Sequence, residues 1–448
     1  MNYSTVSKTL LFLFLVSFIN LSSLFSQEKK DSIHVDLQKA LEIAMSESPT
    51  MRIAERDVQV KKYYKKEQIV SLFPDVSLAA SYNRTIKKQK MTMGLGGQPV
   101  EIEVGTYNNY TAGLSLSLPI IMPTLWYNLK LSQLDVELAL ESSRSSKISL
   151  INEVKKAYYT YLYAKESYEV LLATYANVEL SNKLVTDKYE QGLASEFDKL
   201  RADVQLKNQR PNITAAKNAT ELASMMLKVL MGVDASEPII FDGTLTDFEA
   251  NMLSRMVPTA DSLSLINNTS LIQLDIAKKQ LESARKMMIS SSAPSLALGG
   301  NYQYMTMSDH FKFSDYKWFP YSVIGLSLNV PIVSWAATSY KMKQNRLSQE
   351  NLADQKLDVQ RNLEVSIISN INNIEKSIED YLSNKESVMQ AERAQAISQK
   401  QYEIGMATWL DLSSAELALN NARLAYKQSI YNYVTAYAAL EAVLGVMN

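Results

Sequence analysis

YEQGLASEFDKLRADVQLKNQR, from Tyr189 to Arg210, and YEIGMATWLDLSSAELALNNAR, from Tyr402 to Arg423, are two copies of one segment displaced by 213 positions. Nine positions are identical across the displacement, among them Tyr189/Tyr402, Gly192/Gly405, Asp198/Asp411 and Arg210/Arg423. In each copy the glycine suits the left-handed position that closes a helix. Ser195 with Asp198, and Thr408 with Asp411, have the [ST]-x-x-[DE] spacing of a capping box that opens the next helix. The chain must therefore reverse direction within a few residues. Any αα-hairpin does this once, so the recurrence is what makes the turn a candidate functional element.

The duplication extends outward. GLSLSLPI at Gly113 matches GLSLNVPI at Gly325, Gly232 matches Gly445, and Pro74 matches Pro294. The chain is thus two copies of a unit of about 210 residues. Upstream of each turn, from Thr124 to Gln191 and from Trp335 to Ile404, there is neither glycine nor proline. Helices of that length span about 100 Å, far beyond the usual globular helix. Ile367, Ile371, Ile374, Ile378 and Tyr381 step by 4, 3, 4, 3, a coiled-coil seam, and Val154, Tyr158, Tyr161, Lys165 and Tyr168 hold the same frame 213 residues earlier. Shorter helices are expected at 36–72, 195–231, 258–291 and 408–444, with Pro211 kinking the second.

Each unit also holds two alternating stretches. Val76, Leu78, Ala80 and Tyr82 alternate with small or polar residues, as do Ala112, Leu114, Leu116 and Leu118. Leu296, Leu298, Tyr302 and Tyr304, then Ile324, Leu326, Leu328 and Val330, repeat the pattern. Strands are expected at about 75–85, 108–118, 295–305 and 321–330, with Pro74, Pro119, Pro294 and Pro331 at their ends. Each is long enough to cross a bilayer as a tilted barrel strand. Four such strands cannot close a barrel, since the smallest closed barrels need about eight, so copies must combine. A dimer supplies eight strands and a trimer twelve.

Composition narrows the function. Thirteen glycines and eleven prolines in 448 residues leave few turns. With no cysteine, thiol catalysis, Cys-ligated zinc, disulfides and lipid attachment through an N-terminal cysteine are all excluded. Two histidines, His34 and His310, cannot build a multi-histidine metal site, and 46 basic against 47 acidic residues give no pull toward nucleic acid. GLGG at Gly94 lacks the GK[ST] of a phosphate loop. No cofactor or metal is expected. Residues 1–26, with Lys8 before the apolar run Leu10 to Ile19, read as a secretory signal peptide. The domains are then 27–232 for the first repeat, 233–257 for a linker or equatorial segment and 258–448 for the second repeat.

With LQKALEIAMSESPTMRIAERDV opening the first unit, the strand ends GLSLSLPI and GLSLNVPI, and the reversals YEQGLAS and YEIGMAT, the chain resembles the TolC-like outer membrane efflux proteins over nearly its whole mature length. The resemblance implies a mostly α fold with a small β part: a duplicated long-helix coiled-coil tunnel carrying four transmembrane strands per chain, which complete a 12-stranded barrel as a homotrimer. It implies an exit duct in the outer membrane for a tripartite efflux or type I secretion system, with no enzymatic step. Partners would be outer membrane lipid, a periplasmic adaptor and an inner-membrane pump. The adaptor would dock at a periplasmic tip made of Gly192, Leu193, Ala194, Ser195, Gly405, Met406, Ala407 and Thr408. Two departures from the family pattern are the missing lipidated cysteine, so the protein is not a lipoprotein, and the missing glycines after the second strand of each unit, where Ile121 to Thr124 and Val333 to Ala336 stand.

Relatives narrow the tunnel near the tip with acidic rings. Glu179 and Glu392 correspond at 213 and lie 13 residues before the turn glycines, roughly 20 Å along a helix. As candidate gate carboxylates they would supply six charges in a trimer that favour cations. The competing reading leaves them on the coil face, since both fall on the heptad frame. Tyr107, Tyr110, Trp126, Trp318, Phe319, Tyr321 and Trp335 flank the strands as candidate interface aromatics. The segments Thr85 to Thr106 and Met305 to Lys317 read as external loops. The principal alternative for the whole chain is a periplasmic coiled-coil scaffold or adaptor with no barrel.

Overall fold

The computed structural model describes residues 33–95, 98–254, 264–332 and 335–446. The signal peptide read at 1–26 lies outside the described residues. In chain order the elements are β1 (Ile33–Val35), α1 (Leu37–Glu47), α2 (Pro49–Val70), β2 (Asp75–Arg84), β3 (Gln89–Leu95), β4 (Gln98–Val104) and β5 (Asn108–Ile121). Then come α3 (Pro123–Glu190), α4 (Glu196–Leu230), β6 (Ile239–Phe241) and, after a short 3-10 turn, α5 (Glu249–Ser254). The second unit adds α6 (Thr269–Ser290), β7 (Ser295–Ser308), β8 (Phe319–Asn329), α7 (Trp335–Glu403) and α8 (Trp409–Leu444).

The two long helices run 68 and 69 residues, about 100 Å each. α3 opens with Pro123 at its first position, where the missing N–H costs nothing. It packs against α2 and α4 on one flank and α6 and α8 on the other, while α7 packs against α6 and α8. The heptad seams are in the core: Val154, Tyr158, Ile367, Ile371, Ile374 and Tyr381 are all buried. They meet Phe241, Leu245, Met231 and Ile430 in one large cluster. A second, smaller cluster of Val185, Ala202, Tyr402, Trp409 and Leu412 lies beside the two reversals.

Several expectations need correction. The helix expected over 36–72 is broken, because Ser48 precedes Pro49 and takes extended backbone, φ −62° and ψ 130°. The proline ring clashes with a helical predecessor. The helix expected from 258 begins at Thr269, where the Asn268 side chain accepts from the N–H groups of Ser270 and Leu271. The stretch read as an external loop at 85–106 folds mostly into a β3–β4 ribbon, with Met91 opposite Ile102 and Lys90 bonded to Glu101. Pro119 is not at a strand end: it lies inside β5, opposite Ala297, where the register slips. A proline donates no ladder hydrogen bond, which fits a bulge there. The parallel pair β1–β6, joining residues about 200 apart, had no period to reveal it.

β2, β5, β7 and β8 form one antiparallel sheet in the order β2-β5-β7-β8. Val76 pairs with Leu116, which pairs with Gly300, which pairs with Ile324, so one face is apolar from edge to edge. On the other face Ser77 hydrogen-bonds Ser115 at 2.7 Å and Ser81 bonds Thr111 at 2.6 Å. Gly113 is required where it sits, since a β-carbon there would lie 2.4 Å from Cβ of Gln303. Among the described residues β2 and β8 are the unpaired edges of this sheet.

Candidate functional site

Three regions carry candidate function: the reversals, the helix wall adjoining them and the sheet. Gly192 and Gly405 take φ of 76° and 78°. At both turns the glycine N–H bonds three residues back and the following N–H bonds five residues back, from Leu193 to Lys188 and from Met406 to Gln401. This is a Schellman closure in duplicate. The next helix is then capped at once. Ser195 Oγ accepts from the Asp198 N–H at 3.1 Å, and Thr408 makes the full reciprocal box with Asp411. Hydrogen bonds from the Thr408 hydroxyl and N–H hold the Asp411 carboxyl below its ordinary range. Leu193 and Met406 project outward, 71% and 75% exposed.

The structure brings the two reversals together through a residue the repeat does not reveal. Lys188 Nζ donates to the carbonyl oxygens of Tyr402 at 2.6 Å and Glu403 at 2.9 Å, and lies 4.9 Å from the Tyr402 ring centroid. It thus ties the end of α3 to the end of α7, where unsatisfied helix carbonyls attract a cation. Its counterpart in the second repeat is Gln401, so the two copies divide the work unequally.

Glu179 and Glu392 are both exposed, yet their surroundings differ. Arg423 Nη2 reaches Glu392 Oε1 at 2.7 Å. The duplicate pair Arg210 and Glu179 makes no ion pair among the described residues. Deeper in the wall, Glu416 is buried and accepts from Ser181 Oγ and, at 3.2 Å, from Gln205. Burial raises its pKa, and those two hydrogen bonds offset only part of the rise. At mid-height Glu249 accepts from Tyr426, from Tyr381 at 2.9 Å and from Lys385 at 3.3 Å. Burial pushes that carboxyl up, but the three donors together hold it below the usual range. Glu166 accepts from the Leu245 N–H and pairs with Lys427 at 2.6 Å. Glu249 and Glu166 thus tie α7 and α3 to the segment 245–249 and, through Tyr426 and Lys427, to α8.

At the far end of the sheet, Tyr82 stacks on Tyr110 with centroids 4.6 Å apart, beside Phe311, Phe313 and Tyr316. Lys88 pairs with Asp309 at 2.9 Å across two connections. Of the candidate interface aromatics, Tyr107, Trp126, Trp318, Phe319 and Tyr321 are exposed, Tyr110 belongs to this stack, and the Trp335 side chain lies outside the described residues.

Comparison with known proteins fits this geometry. The outer membrane efflux protein family model matches residues 40–233 and 262–446, one match per repeat. The chain belongs to the outer membrane efflux protein family. It is 22% identical over 379 residues to the outer membrane protein TolC of Vibrio cholerae, covering 84% of this chain and 83% of that protein. Among solved structures, the outer membrane protein VceC from Vibrio cholerae superposes with a TM-score of 0.72 at 16% identity, covering 92% of this chain and 96% of that one. The open-state MtrE outer membrane channel of Neisseria gonorrhoeae gives 0.72 at 17% identity, covering 92% and 89%.

As a member of this family the protein is an outer membrane channel, the exit duct of a tripartite efflux system, with a large periplasmic helical tunnel. That sets aside the scaffold without a barrel. The family is one of channels rather than enzymes, and its members work as trimers with adaptor and inner-membrane pump partners. No helix among the described residues is long and apolar enough to cross a membrane.

Proposed function

We propose that three chains join β8 of one to β2 of the next into a 12-stranded barrel, that the reversals Gly192–Ser195 and Gly405–Thr408 dock a periplasmic adaptor, and that cargo passes through without any covalent step. The observation that carries this is the four-stranded sheet, with both edges unpaired among the described residues, joined through Met122 to α3 and through residues 330–334 to α7, helices about 100 Å long. Unpaired edges are not tolerated in hydrocarbon. Exposed Leu193 and Met406 at the tips offer apolar contacts between polar caps, a suitable surface for the helical hairpins of an adaptor. The cargo enters from a pump and leaves through the barrel.

The full chain purified in detergent tests the assembly. The expected particle has three times the chain mass and is a cylinder on the order of 140 Å, the helical length plus a bilayer-high barrel. A compact monomeric globule would sink the proposal. For docking, cysteines at Leu193 and Met406 should crosslink to the adaptor in cells. Crosslinking at α2 instead of the tip would move the docking surface elsewhere.

A further inference from the structure

A cleft of about 530 Å³ lies between α6 and α7, directly under β7 and β8. Its lining includes Arg285 and Ser292 from the α6 side and Ser339, Lys343 and Arg346 from α7, with Ile289 and Met342 as its apolar part. Three cations therefore share one cleft. Only Arg346 has a carboxylate partner among the described residues, Glu350 at 2.9 Å, and that contact uses one of its five donors. Lys343 Nζ rests 5.5 Å from the Tyr340 ring centroid, and Arg285 forms no ion pair among the described residues. Like charges lining one cleft repel one another unless an anion joins them.

The cleft is the deepest part of a wider band. Over residues 61–70, 123–134, 278–290 and 335–346, the helix ends nearest the sheet, twelve Lys and Arg stand against two carboxylates, Glu67 and Glu282. The whole chain has a net charge of −1, so this is a local concentration of charge and not a general excess. By helix rise the band occupies roughly the first 20 Å below the sheet. Arg285 lies five residues before the end of α6, about 8 Å from it and within one Debye length of a membrane surface there.

We propose that the α6–α7 cleft binds the phosphate headgroup of an anionic phospholipid in the periplasmic leaflet of the outer membrane. It rests on the membrane placement of the strands and is independent of the docking tip. The planar guanidinium forks of Arg285 and Arg346 match two phosphate oxygens each, and Lys343 adds a point charge. The hydroxyls of Ser292 and Ser339 can donate to the glycerol oxygens, and Ile289, half exposed, continues toward the acyl region. Basic pockets between helices at a membrane boundary bind anionic headgroups in this manner. The site would seat the channel vertically.

Native mass spectrometry of the detergent-solubilised trimer, titrated with phosphatidylglycerol or with phosphatidylcholine of the same chain length, tests the proposal. The wild type should retain phosphatidylglycerol preferentially. Arg285→Gln/Lys343→Gln/Arg346→Gln should weaken that retention on the order of a hundredfold, a factor of about five per cation. A charge-matched control outside the cleft, Lys62→Gln/Lys66→Gln/Lys130→Gln, should weaken it far less, and the single variant Lys343→Gln provides a milder test if the triple variant does not assemble. Equal losses in the cleft and control variants would overturn the site. So would displacement of the lipid by millimolar inorganic phosphate, which indicates a free-anion site. Unaltered lipid retention with altered ion selectivity would also overturn it, because the cations would then line the lumen.

Discussion

Gly445 presses its bare α-carbon against the carbonyl oxygen of Asn267, where a β-carbon would stand only 2.3 Å away. Gly232 repeats the relationship against Glu47 at 2.4 Å. Both have positive φ, 72° and 76°, and both close a unit at the point where a short helix must pass a backbone. The tip glycines Gly192 and Gly405 share the positive φ but have open space around them. Alanine at either tip position should therefore cost only the left-handed strain, about 1 to 2 kcal/mol, and asparagine less. Alanine at Gly232 or Gly445 should cost at least about 3 kcal/mol, strain plus overlap, and asparagine should not rescue it. The heat-dissociation midpoint of the trimer measures the difference. Equal shifts at all four sites would remove the distinction.

Glu416 and Glu249 should respond to pH with opposite signs. A carboxyl whose folded pKa is raised adds stability below its unfolded pKa and loses it as pH rises through the folded value. That is the case for Glu416. Glu416→Gln should then stabilise the assembly at neutral pH, with the gain vanishing in acid. Glu249 is held low, so its contribution is present at neutral pH and lost as pH falls through the carboxylate range. Glu249→Gln should cost about 1.5 to 3 kcal/mol at neutral pH, since it weakens hydrogen bonds to a charged group. Denaturation midpoints between pH 4 and 8 check both signs. A destabilising Glu416→Gln at pH 7 would contradict the buried-acid reading.

The candidate gate carboxylates should separate. Glu392 is neutralised by Arg423 at 2.7 Å, whereas Glu179 makes no ion pair among the described residues. If both contribute to a ring, Glu179→Gln should reduce cation selectivity in planar bilayers more than Glu392→Gln does. Arg423→Gln should increase it. The stability cost of losing the exposed pair should stay below about 1 kcal/mol. Selectivity unchanged by Glu179→Gln would leave both residues as coil-face charges.

The long helices, the strand pairs and both reversals were legible because each is periodic or duplicated: Ile367 to Tyr381 repeats the frame of Val154 to Tyr168, and Gly405 repeats Gly192. What escaped detection is what the repeat does not duplicate. Lys188 ties the two tips together, yet its counterpart is Gln401. Glu416 is buried against Ser181 of another helix, while its counterpart Asp203 instead bonds Asn182 at 2.8 Å. The β1–β6 pair and the contact of Tyr158 with Asp242 join segments with no common period, so only the folded chain brings them together. The β3–β4 ribbon does alternate, with Met91, Met93 and Leu95 on one strand and Val100, Ile102 and Val104 on the other, but both runs are short and the glycines and Pro99 between them carry the signal of a loop.

The sheet offers a last discriminating pair. Leu326 is 66% exposed on the apolar face and pairs with Leu298. Its neighbour Ser327 lies on the opposite face and pairs with Ala297. In a closed barrel the first faces lipid and the second the lumen. Leu326→Arg should therefore destabilise the barrel by about 2 to 4 kcal/mol near the bilayer midplane, while Ser327→Arg should fold normally and narrow the pore. Heat-modifiable migration on gels measures folding, and single-channel conductance measures the pore. Should Ser327→Arg be the variant that fails to fold, with Leu326→Arg conducting normally, the two faces would have to be exchanged, and with them the register by which β8 meets β2 of the next chain.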